Sequence, residues 1–135
     1  MQIELSDMEF RRLLDMVYIG NWILNSTREN DRFQVYDDLE SKLFDRARTE
    51  GMASLAERMD GVTVPSQAFV DGGIHEAILD YEYTVFYEIL AEELARRDMN
   101  FEPINEENFA ELTSRMDEYI AEFEQNGVDN ISLEN

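Results

Sequence analysis

The chain has no cysteine, one histidine (His75), one lysine (Lys42) and two prolines in 135 residues. Each shortage closes something off. Without cysteine there is no disulfide, no thiolate zinc site and no cysteine nucleophile, and the absence fits a reducing compartment. With one histidine, a His-based metal triad or a Ser–His pair would have to be built around His75 alone. Few prolines leave room for long helices. Long apolar runs are missing too: the most apolar stretch, Met16 to Leu24, holds Gly20 and Asn21 and falls far short of the roughly 20 residues that span a bilayer. The opening MQIELSDMEFRRLL is broken by acids and arginines before any apolar core develops, unlike a secretory signal. Glycine-rich phosphate loops, G-x-S-x-G and basic patches interleaved with aromatics are all lacking.

Positive charge is the scarcest property. Against 31 Asp and Glu stand 11 Lys and Arg, a net charge of −20. Such a surface repels nucleic-acid phosphates and anionic headgroups. The expectation is a cytoplasmic protein with no direct nucleic-acid partner and no membrane partner. The acidity is uneven: residues 98–135 hold 11 acids and Arg115 alone, so this short segment carries −10. It reads as a solvated helix face or as a docking surface for a basic partner. Ten of the eleven bases are arginine, the residue suited to bidentate carboxylate pairing and aromatic stacking.

What is present is a core. Hydrophobic residues make up 44% and aromatics 11%, too many for a disordered acidic chain, and the length fits a single helical domain over 1–135. Ser6-Asp7-Met8-Glu9 is a capping box opening a helix from about Asp7 to about Ser26, with Phe10, Leu13, Leu14 and Val17 on one face. A second helix is read from about Asn30 to Glu50 on Tyr36, Leu39, Leu43 and Ala47, widened by Phe33 and Phe44 and stopped by Gly51. A short helix from Met52 to Asp60 and a loop or short extended piece over Val62–Ser66 follow. The third long helix, about Ile74 to Asp98, has two apolar faces: Ile74, Ala77, Ile78, Tyr81, Val85, Ile89 on one and Leu79, Tyr83, Phe86, Leu90, Leu94 on the other. Two faces predict a sandwiched helix. The last helix, about Glu106 to Gln125 with Asn105 as N-cap, has one stripe of Phe109, Leu112, Met116, Ile120 and Phe123. MQIEL and the tail VDNISLE alternate, and would pair as a two-stranded ribbon. The fold class expected is all-α: a compact bundle of four principal helices with a minor β element from the termini.

Chemistry-bearing candidates are few. Arg11, Asp15, Tyr18 and Trp22 recur at 4, 3 and 4 on the first helix; they combine an ion pair with aromatics of the kind that dominate interfaces, or they are core and rim packing. Asn21 falls on the Leu14/Val17 face, where it must be buried and hydrogen-bonded. Glu82 lies between the two apolar faces of the third helix, where desolvation would raise its pKa or an arginine would pair it. His75 precedes it by seven residues, near the helix start. Glu88/Glu92 and Glu118/Glu122 are i,i+4 carboxylate pairs, but the Glu-x-x-His spacing of di-iron bundles is absent. No residue is assigned a catalytic, cofactor-binding or metal role.

Three stretches, LLDMVYIGNWILN (13–25), YTVFYEILAEELARRD (83–98) and YIAEFEQNGVDNISL (119–133), together resemble a family of small, acidic bacterial proteins with no established activity. The resemblance implies a bacterial cytoplasmic origin and no reaction. The function expected is a non-enzymatic interaction or regulatory module that binds a protein partner, with a homodimer as one form. Two alternatives stand beside it: an acidic DNA mimic that inhibits a DNA-binding protein, and a small enzyme or metal binder centred on Glu82 and His75.

Overall fold

A computed structural model describes residues 1–134. The fold is mainly α-helical with one small two-stranded sheet. In order come α1 (Asp7–Asn25), α2 (Gln34–Thr49), a 3-10 turn (Ala53–Leu55), β1 (Ala56–Met59), β2 (Val62–Pro65), α3 (Gln67–Val70), α4 (Ile74–Asp98) and α5 (Phe109–Asn126). The chain divides into two compact units, residues 1–78 and 79–135.

In the first unit, the capping box closes as its sequence dictates. Ser6 Oγ accepts the Glu9 N–H at 3.1 Å, and Glu9 accepts the Ser6 N–H at 2.9 Å. α1 and α2 pack together, and the hairpin and the 3-10 turn lie against α2. Leu14, Phe44, Ala47 and Phe69 are wholly buried, with Tyr18 and Ile78 beside them. Phe69 arrives on α3, a four-residue helix whose N-cap Ser66 accepts the Phe69 N–H at 3.1 Å and donates to the Ser54 carbonyl at 2.6 Å. The Phe69 ring meets Phe44 edge-on at 4.9 Å and Tyr18 at 5.3 Å.

The sheet is not where the sequence placed it. The termini form no strand among the described residues; β1 pairs antiparallel with β2, Met59 opposite Val62. The reason is the turn. Asp60 and Gly61 both take positive φ, 52° and 80°, the two left-handed residues that a tight hairpin turn needs. The helix expected over Met52–Asp60 is therefore only a 3-10 turn followed by a strand. Thr63, buried on β2, donates to Asp45 of α2 at 3.0 Å and accepts from Arg58 at 3.1 Å, which pins the hairpin to α2.

In the second unit, Ala95 and Met99 at the end of α4 pack with Leu112 of α5, joined by Ile104, Met116 and Tyr119. The Tyr119 hydroxyl donates to Asp98, which also accepts from Arg97; together these bonds hold the Asp98 carboxyl below its usual pKa, Tyr119 first. α4 has the bounds its periodicity predicts, but it is not sandwiched: Tyr83 is 68% and Phe86 50% exposed, and Leu79, Tyr81 and Ile89 are exposed with them. α5 begins at Phe109, later than expected. Asn105 instead caps a preceding turn, accepting the Glu107 and Asn108 N–H groups at 2.8 and 3.2 Å.

Candidate functional site: a buried polar cluster and an acidic aromatic groove

Two places gather polar or aromatic groups beyond what packing requires, one in each unit. In the first, α1 presents Tyr18, Asn21, Trp22 and Asn25 on one side. Asn25, 1% exposed, donates to Asn21 Oδ1 at 2.7 Å and to the Phe33 carbonyl at 3.2 Å, and accepts the Phe33 N–H at 2.7 Å. It thus satisfies the backbone at the N-cap of α2, where no Ser, Thr or Asp is present to do so. Asn21, 8% exposed, donates to Asp37 at 3.0 Å. Arg32 grips the same carboxylate with two bonds, 2.9 and 2.8 Å. That guanidinium holds the Asp37 pKa below the usual range, against the opposing effect of burial.

Glu40 stands one turn further along α2. Burial pushes its pKa up to about 7, because a carboxylate loses hydration there and has no arginine in contact to replace it. Asn21 and Arg32 offset part of the cost, and Asp37 adds to it. On the other side of Tyr18, its Oη lies 2.9 Å from His75 Nδ1, and Trp22 meets the His75 ring edge-on at 4.7 Å. Burial, and then the Glu40 charge, raise the Tyr18 pKa. The cluster therefore holds one carboxylate that titrates near neutrality beside a phenol. The bonds that Asn21 and Asn25 make with Asp37 and the Phe33 backbone tie α1 to α2.

The sequence candidates separate on this map. Arg11 pairs with Asp15 along α1, and its guanidinium sits 4.6 Å from the centre of Phe69, not on Tyr18 or Trp22. Tyr18, 7% exposed, faces the unit's own core. Asn21 and His75 enter the cluster. Glu82 does not: it is exposed, and among the described residues it forms no hydrogen bond or ion pair. The burial expected for it fails because the middle of α4 is open. Sequence reasoning missed Arg32, Asp37 and Glu40. The signal was Asn21 and Asn25: two buried amides one turn apart need polar partners, and Asp37 and Glu40 lie on the same side of α2 as the buried Phe44 and Ala47.

The second place is a groove of about 440 Å³ between α4 and α5, lined by Tyr83, Thr84, Tyr87, Glu88, Ile120, Phe123 and Glu124. Its rings form a connected run, Tyr83 to Tyr87 at 5.1 Å and Tyr87 to Phe123 at 5.4 Å, and Phe86 outside the groove meets Tyr87 at 5.0 Å. Glu88 and Glu124 stand at its edges. The unit that carries it, residues 79–135, has 16 acids and three arginines, a net charge of −13. Among the described residues no three His, Asp or Glu side chains converge in a way that would hold a metal ion. Among the described residues no helix is long and apolar enough to cross a membrane.

No family model, curated protein or solved structure matches the chain.

Proposed function

We propose that this is a non-enzymatic module, acting in the cytoplasm, that binds a protein partner on the open face of α4 and α5. One observation carries the reading. Leu79, Tyr83 and Phe86 leave large apolar area in water on a helix that could have turned polar residues outward, and contiguous exposed apolar patches mark interaction sites. The area supports it. The accessible surface is 10,238 Å², whereas two separate globules sharing the same mass would expose only about 8,800 Å². That surplus is spread over the whole chain, the exposed ends at Met1, Ile3 and Leu133 included, and Leu79, Tyr83 and Phe86 carry part of it.

The exposure of Glu82 favours this reading over an enzyme or metal binder centred on Glu82 and His75. The bacterial origin implied by the resemblance of residues 13–25, 83–98 and 119–133 fits the interaction reading and adds nothing to its chemistry.

The test is affinity capture from cytosol of the source organism with the natural chain and with a Tyr83→Ser/Phe86→Ser pair, at low and moderate salt. The reading expects a stoichiometric partner that survives moderate salt on the natural chain and is lost from the pair. The same proteins retained by both would contradict it. A basic DNA-binding protein held by both and released as salt rises would move the assignment to DNA mimicry by the C-terminal acids.

A further inference from the structure

We infer that the occupant of the α4–α5 groove is a cationic amphipathic helix of another protein, laid along α4 with its apolar stripe on the tyrosines; this rests on the interaction reading above and names its partner chemistry. The floor of the groove is apolar and aromatic, through Tyr83, Tyr87, Ile120 and Phe123. Beside it Leu79, Tyr83, Phe86 and Leu90 repeat at 4, 3 and 4 along α4, the spacing of a seam that receives another helix. This stripe covers three turns, about 16 Å at 1.5 Å per residue. An apolar helical face matched to such a length is the helix-in-groove mode of recognition.

Charge selects the occupant. No Lys or Arg occurs between Arg58 and Arg96, and none after Arg115. The rims carry Glu88 and Glu124, and Asp80 and Glu82 follow Leu79 on α4. A second copy of this chain would set Glu88 and Glu124 against their like, in units that each carry −13. A helix with Lys or Arg flanking its apolar stripe does the opposite. Its aliphatic stems cover tyrosine faces and its charged heads reach the rim carboxylates, while the ring faces themselves attract cations.

The probe is a fluorescent peptide of about 18 residues made only of Leu and Lys in amphipathic helical order, with a permuted isomer of equal composition that lacks the pattern. Anisotropy is read at about 150 mM salt, where exposed charges act only over about 8 Å. The patterned peptide is expected to bind in the micromolar range, roughly tenfold tighter than its isomer. Tyr83→Ser, and Glu88→Lys with Glu124→Lys, are each expected to weaken it about tenfold. Glu102→Lys with Glu106→Lys, an equal charge change at exposed positions outside the groove, should leave it within about twofold. Should the reversed pair fail to fold by circular dichroism, Glu88→Gln with Glu124→Gln takes its place. Equal binding of the two peptides, or an equal loss in the control pair, overturns the inference, because attraction would then be bulk charge alone. A dimer in sedimentation that Tyr83→Ser dissolves overturns it in favour of a second copy and leaves the interaction reading standing. If Tyr83→Ser changes neither peptide binding, sedimentation nor the captured proteins, both fall together.

Discussion

The two units solve the same problem in opposite ways. Residues 1–78 build their core on aromatics: Phe44 and Phe69 are fully buried and Tyr18 nearly so, while Phe33 and Tyr36 stay at the surface, and the buried amide of Asn25 is met by Asn21, which in turn reaches Asp37 on α2. Residues 79–135 bury two alanines, Ala91 and Ala95, with Met99, Leu112 and a single ring, Phe123, and leave Tyr83 and Phe86 in water. Since burial of apolar area is the main favourable term in folding, the first unit is held by an aromatic core, and the second leaves on α4 the apolar area proposed above for a partner. An aromatic residue is therefore evidence of core or of interface only after its surroundings are known.

The largest effect separates the units at the core. Phe44→Ala is expected to cost about 3–5 kcal/mol by removing a wholly buried ring, with cooperative loss of α1 and α2 in a urea titration followed by circular dichroism. A cost under about 1 kcal/mol would mean that the first unit is as loosely packed as the second.

Next comes the polar lock. Asn25→Ala leaves the Phe33 N–H and the Asn21 carbonyl without their partner, and is expected to cost about 2–3 kcal/mol in the same titration. Asn25→Asp should restore only the bond from the Phe33 N–H, because it cannot donate to Asn21.

Glu40 sharpens the comparison through pH. Its folded-state pKa, about 7, lies above the ordinary 4.5, so ionisation penalises the folded state. Its contribution is therefore fully favourable below about pH 4.5, declines as pH rises, and is lost above about pH 7. Glu40→Gln should stabilise the chain by about 2 kcal/mol at pH 8 and change little at pH 4. A gain of equal size at both values would mean that burial does not act on the charge. The smallest effect is at the groove: Tyr83→Ser should alter stability by less than about 0.5 kcal/mol, as surface changes do, while it weakens binding of the patterned peptide about tenfold.

Local signals were legible in the sequence wherever one residue type decides the outcome. Ser6 and Glu9 announced the start of α1, and the run from Ile74 to Asp98 gave α4 its ends. Asp60-Gly61 carried the hairpin signal, but the Met52–Asp60 segment before it also suited a helix, and only the pairing of Ala56–Met59 with Val62–Pro65 decides between them. On α2 the apolar stripe through Tyr36 and Leu39 pointed the wrong way, since both are exposed. The buried side instead includes Asp37 and Glu40 with Phe44 and Ala47, because the amides of α1 make polar company favourable there. The α4 pattern was correct as a pattern, and apolar on two faces; periodicity cannot tell a face covered within the chain from one left open for another molecule.

Hydrogen exchange of the free chain, resolved by segment, tests this contrast most directly. The account predicts that residues 79–90 exchange at least about tenfold faster than Leu14–Asn21, and that the patterned Leu/Lys peptide slows residues 79–90 and the α5 segment around Ile120–Glu124 alone. Equal protection of both segments in the free chain, or peptide-induced slowing within residues 1–78, would contradict it.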